Sequence, residues 1–110
     1  FMQYENWSYE EFHAFVLLYA ANTDGNVTED EERLISPTLP AESYARVREL
    51  FFKSSDAEVL DIIVAFKNKY CGTPADKERI LADMRAVFEA HHGFEQIERE
   101  MLHMFDKLMC

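Results

Sequence analysis

The chain has 110 residues, of which 48% are hydrophobic, 29% charged and 14% aromatic, the balance of one globular domain rather than of a disordered segment. Its formal net charge of −10 argues against nucleic acid and anionic membrane as partners, because both need a basic footprint. Three Gly and three Pro are too few for the many tight turns of a sandwich or barrel, so the expected fold is all-α, one domain of six or seven helices over residues 1–110. Phe1 ahead of Met2 reads as a leftover of cloning, with Met2 as the natural start.

Helix signals then recur in chain order. Ser8-x-x-Glu11 is a capping box, in which the hydroxyl accepts an orphan N–H and the carboxylate reaches back. It opens a helix over about residues 9–22 with Phe12, Phe15, Val16 and Tyr19 inward. Thr28-x-x-Glu31 opens a short helix over about 29–36 that ends before Pro37. A third starts near Pro40 and buries Tyr44, Val47 and Phe51. Ser55-x-x-Glu58 opens the fourth, about 56–71, with Val59, Ile63, Phe66 and Tyr70 inward. Thr73-Pro74-Ala75-Asp76 opens the fifth, about 74–91, with Pro at the first helical position. Its stripe is Ile80, Met84, Val87 and Phe88, with His91 as a candidate fifth member. The sixth, about 94–109, shows Phe94, Ile97, Met101, Met104, Phe105 and Leu108. Gly72 and Gly93 are natural C-terminal stops. One apolar stripe per helix means that none is stable alone and all share a core. Short loops favour antiparallel neighbours. The helix–loop–helix of 12–35 and that of 80–108 make a faint internal repeat, in no single gap-free register.

Cys71 and Cys110 lie outside any CxxC pattern, and a chain with a sizeable apolar core does not need a disulfide. A reducing, cytoplasmic setting is the expectation. The apolar run 12–21 is too short to span a bilayer, and Glu5, Glu10 and Glu11 ahead of it have the wrong sign for a signal peptide.

The most specific segment is the acidic loop 20–32. Set against a 12-residue calcium loop with Gly25 at the sharp turn, Asn22, Asp24 and Asn26 fall at positions 3, 5 and 7, and Glu31 at the closing position 12. A hard cation wants such oxygens on a tight turn. Position 1 is Ala20, which supplies no side-chain oxygen and argues against an ordinary tight calcium site. Two readings remain. One is a weak divalent site (Ca²⁺, Mg²⁺, Mn²⁺ or Zn²⁺) held by Asn22, Asp24, Asn26 and Glu31. The other, favoured reading is an Asp-Gly turn leading into a capped helix whose acidic first turn suits the helix dipole.

Ala21, Asp24, Gly25, Val27, Thr28, Glu31 and Ile35, preceded by Leu17, Leu18 and Tyr19, form a pattern that resembles the TerB-like family, named for bacterial tellurite-resistance proteins. The resemblance implies a compact all-helical domain of two related halves, each with an Asp-Gly loop followed by a Glu. It further implies links to stress responses and metal-ion binding, and use as an interaction part beside co-chaperone and membrane-associated modules. It covers about residues 17–35. The corresponding loop of the second half reads His91-His92-Gly93-Phe94, with Glu95 and Glu98 after it, and lacks the Asp-Gly pair. The carry-over is therefore limited to Asp24 with Glu31 as its helix partner, and tellurite resistance itself is not assigned.

Other constellations point to sharper chemistry. Glu10-x-x-His13 and Glu100-x-x-His103 each put an acid and an imidazole on one helix face, as in di-metal carboxylate bundles. His91, His92 and His103, with Glu95 or Glu98, are an alternative transition-metal set. The competing reading places His91 and His92 at a helix C-terminus, where an imidazolium is favourable. Cys71 also ends a helix, where the dipole disfavours a thiolate nucleophile. Met84, Met101, Met104 and Met109 fall mostly on core stripes, and Trp7 reads equally as a core cap or a contact residue. The expectation is a non-enzymatic, acidic interaction module whose partner is another protein. The alternatives are a di-metal enzyme using the Glu-x-x-His pairs and a purely structural assembly domain.

Overall fold

Hydroxyl side chains start four of the helices. In the computed structural model, which describes residues 6–90 and 96–109, Asp24 by its backbone alone, the Ser8, Thr28 and Ser55 hydroxyls accept the N–H of Glu11, Glu31 and Glu58, and each Glu returns to the cap backbone. Thr73 accepts the N–H of Asp76, just ahead of Pro74. These caps open α1 (Tyr9–Ala21), α2 (Glu29–Ile35), α4 (Asp56–Tyr70) and α5 (Pro74–Glu89). Between them α3 (Ala41–Lys53) begins after Pro40, and α6 (Gln96–Leu108) closes the chain. Short 3₁₀ turns at Asn22–Asp24 and Ser36–Thr38 follow α1 and α2. The fold is an all-α bundle, and no strand occurs among the described residues. Its Cα radius of gyration is 12.9 Å, close to the roughly 13 Å of a compact domain this long. No helix of the described residues is long and apolar enough to cross a membrane.

The centre of the bundle is α1. Its sequence predicts one inward stripe, but Phe12, Ala14, Phe15, Val16, Leu17, Leu18, Ala20 and Ala21 are all buried. The one-sided expectation is corrected here: beyond the polar first turn with Glu10 and Glu11, the stretch from Ala14 to Ala21 is apolar on every face, and such a stretch belongs inside the core. The largest neighbours of α1 are α3 and α5, with α2 and α4 completing the wrap. Ahead of α1, Trp7 caps the core, its ring 5.0 Å from Phe15 and stacked 5.9 Å from Phe66. Tyr70 on α4 donates its hydroxyl to the Trp7 carbonyl at 2.8 Å.

The outer helices mostly bury the stripes their spacing predicts: Tyr44, Val47 and Phe51 on α3, Val59, Ile63 and Phe66 on α4, and Ile80, Met84, Val87 and Phe88 on α5. Gly72 follows α4 without a left-handed backbone. A Cβ there would stand 2.9 Å from the Asn68 carbonyl oxygen, so close approach is what excludes a side chain. Gly93, with the loop 91–95, lies outside the described residues.

In α6 the face is rotated from the expected one. Glu98, Leu102, Phe105 and Met109 turn inward, while Ile97 and Met104, expected in the core, are 53% and 39% exposed. Residues 97, 101, 104 and 108 share the spacing of 98, 102, 105 and 109, one residue out of phase. One residue is about 100° of helix rotation, and spacing alone does not rank the two sets.

Candidate functional site

The turn after α1 is built from local chemistry. Asn22 is the C-cap of α1. Gly25 takes φ +85°, and its N–H donates to the Asn22 carbonyl at 2.9 Å. The Thr23 hydroxyl donates to the Ala20 carbonyl at 2.6 Å and lies 3.0 Å from the Met101 sulfur. That contact ties the turn to α6.

Of the four residues proposed to hold a cation, Glu31 is engaged in capping. Its side chain is 1% exposed, and Oε1 accepts the Thr28 N–H at 2.8 Å and lies 3.1 Å from the Thr28 hydroxyl. Asn22 is half-buried and Asn26 exposed. The Asp24 side chain lies outside the description. The geometry of Gly25, Thr28 and Glu31 is that of a turn feeding a capped helix. Among the described residues no group of three His, Cys, Asp or Glu side chains is placed to hold a metal ion.

His13 on α1 bonds through Nε2 to an Asp83 oxygen on α5 at 2.8 Å, with its side chain 12% exposed. Tyr9 stacks on its ring at 5.5 Å, and the Arg79 guanidinium covers the other partner, 5.2 Å from the Tyr9 ring. Glu10, the acid three residues before His13, is exposed, as are Glu100 and His103. The α1 pair thus directs its imidazole to Asp83, a partner 70 residues away that no local spacing signals. His91 and His92 lie outside the described residues, as does Cys110.

Two further features escape sequence reasoning. Glu32, one residue after the cap, accepts the Tyr44 hydroxyl at 2.5 Å and the Arg48 Nε at 3.0 Å, locking α2 to α3. Between α5 and α6 runs an open cleft of about 410 Å³ whose lining includes Leu81, Arg85, Arg99, Leu102 and His103. Cys71 is buried. Burial, with the Asp76 carboxylate nearby, pushes its thiol up to about 11, which removes the thiolate a nucleophile needs. The chain matches no protein-family model, no curated protein and no solved structure.

Proposed function

We propose that the chain is a non-enzymatic, TerB-like interaction module of the cytoplasm that docks a basic amphipathic helix of another protein on α6. The observation that carries this reading is the exposed apolar side of α6. Ile97 and Met104 face solvent there, and Met101 between them contacts Thr23 of the Asp24–Gly25 turn. Apolar anchors at such helical spacing are what a helix-in-groove partner uses. The charge of −10 favours a cationic partner over an anionic one. The buried free thiol of Cys71 fits a reducing compartment. A divalent ion at the turn, held by Asp24, Asn22 and Asn26, is a second element of the proposal. It would act by stiffening the segment that carries Thr23 against α6.

The test uses a Leu/Lys amphipathic peptide as the probe, with the wild-type chain beside Ile97→Asp/Met104→Asp. Saturable one-to-one binding is expected, weakened by roughly tenfold or more in the double variant, since the two anchors, 53% and 39% exposed in the free chain, have only about half of the roughly 1.5–3 kcal/mol of full burial each left to gain. Equal binding by both proteins would mean that net charge alone attracts the peptide and would overturn the reading. Calorimetric titration with Ca²⁺ or Mn²⁺ beside Asp24→Ala tests the ion separately.

A further inference from the structure

The outer side of α3 carries a balanced row of charges in an acidic chain. Glu42, Arg46, Glu49 and Lys53 follow one another at steps of four, three and four residues, so they share one face of the helix. All four are exposed, and the row sums to zero in a chain of net charge −10. Glu49 and Lys53 pair within the helix at 3.2 Å, and the Arg46 guanidinium donates to the Ser43 hydroxyl at 3.4 Å. Beside the row stands Phe52, 47% exposed. Its ring is already held in place, edge-to-face with Phe51 at 5.1 Å and under the Arg48 guanidinium at 4.8 Å. Arg48 is in turn bonded to Glu32. One helical step back along the same side come Ala45 and Ala41, both exposed. Ala45, Arg46, Glu49, Phe52 and Lys53 line one open trough on this surface.

We infer that this face pairs with the same face of a second copy of the chain, the two α3 helices lying antiparallel about a two-fold axis. Turning α3 end for end about the point between Val47 and Arg48 exchanges position 42 with 53 and position 46 with 49. Every acid then meets a base: Glu42 faces the second copy's Lys53, and Arg46 faces its Glu49. The two-fold repeats both pairs, and with the Glu49–Lys53 pair inside each helix they make a network of alternating charges, which holds better than isolated surface pairs. In this register Phe52 comes level with the second copy's Ser43, between its Ala41 and Ala45. A bulky ring against small side chains suits helices packed about 8–10 Å apart. Because the ring is already ordered by Phe51 and Arg48, little freedom is lost on contact. Two copies of charge −10 repel overall, and a row of zero sum is where they meet at least electrostatic cost. A parallel pairing would set each charge against its own kind, and a partner of one sign would match only half of the row. The inference does not rest on the docking face proposed above, which is on α6.

The experiment is sedimentation equilibrium of the full chain over a range of concentrations. The wild type should pass from monomer to dimer with a midpoint of roughly 100 μM, in the weak class of contacts under about 1,000 Å². Arg46→Glu sets acid against acid at both copies of the 46–49 pair, and Glu49→Arg sets base against base. Both positions are exposed, and each variant alone should associate at least about tenfold more weakly than the wild type. An equimolar mixture of the two variants restores both pairs across the axis and should dimerise again, a recovery that a misfolded variant could not give. Ile97→Asp/Met104→Asp, on α6, should dimerise as the wild type does. A wild type that stays monomeric up to about 1 mM, single variants that associate unchanged, or a mixture that stays monomeric overturns the inference. Loss of the dimer in the α6 variant also overturns it, because the contact would then be on α6.

Discussion

The Glu32 carboxylate takes a hydroxyl from Tyr44 and a guanidinium from Arg48, both on α3. Burial works to raise its carboxyl, but the two bonds and the Arg48 charge outweigh that and hold it below its ordinary 4.5. Burial and then the bond to Glu32 push the Tyr44 phenol up in turn. The sign follows from linkage. A depressed carboxyl contributes stability that is fully present above its unfolded value, near 4.5, and is lost as pH falls through the lower folded value. Glu32→Gln keeps the shape and removes the charge. We expect it to cost about 1 kcal/mol at pH 7, a charged hydrogen bond discounted for solvent exposure. Urea unfolding at pH 7 and pH 3 checks this: the gap between wild type and variant should narrow from pH 7 to pH 3. A gap independent of pH would show that the ionised form of Glu32 is not what matters.

Among the elements, the turn between α1 and α2 depends on one backbone angle. Gly25 at φ +85° has nothing within 4 Å of where a Cβ would stand, so a side chain there meets open space and the cost is conformational. Gly25→Ala should destabilise the chain by about 1–2 kcal/mol, and Gly25→Asn by less, because Asn tolerates the left-handed region. Chemical denaturation of the two variants decides: equal losses would remove the backbone account. This turn and the four N-caps are legible in the sequence because each is settled within four residues. The stripes of α3, α4 and α5 are legible because one face of each is plainly more apolar. The face of α6 is not, since Ile97 and Met104 match the helical period as well as Leu102 and Phe105 do. Nor are the His13–Asp83 bond and the α5–α6 cleft, which exist only once segments distant in the chain are brought together. Glu31 shows the reverse case. Its spacing fits both a cation loop and a capping box, and the structure places it in the box.

For the molecule as a whole, stability rests on α1. Phe15 is fully buried between Trp7 at 5.0 Å and Phe51 at 5.7 Å. Phe15→Ala should cost about 3–5 kcal/mol, a large part of the roughly 5–15 kcal/mol that holds such a domain together. A drop of that size is read directly from the denaturation midpoint, and a loss below about 1 kcal/mol would mean that the core closes over the gap. The same helix has a consequence during synthesis. From Ala14 to Ala21 α1 is apolar on every side, so that stretch has no face suited to water, and it leaves the ribosome before every helix that covers it. Its contacts with α5 need residues out to Glu89, which at ordinary translation speeds arrive roughly 3 to 14 s after Ala21. Through that interval the nascent chain presents a bare hydrophobic cylinder, the kind of segment that holdase chaperones capture and that self-associates when they are scarce.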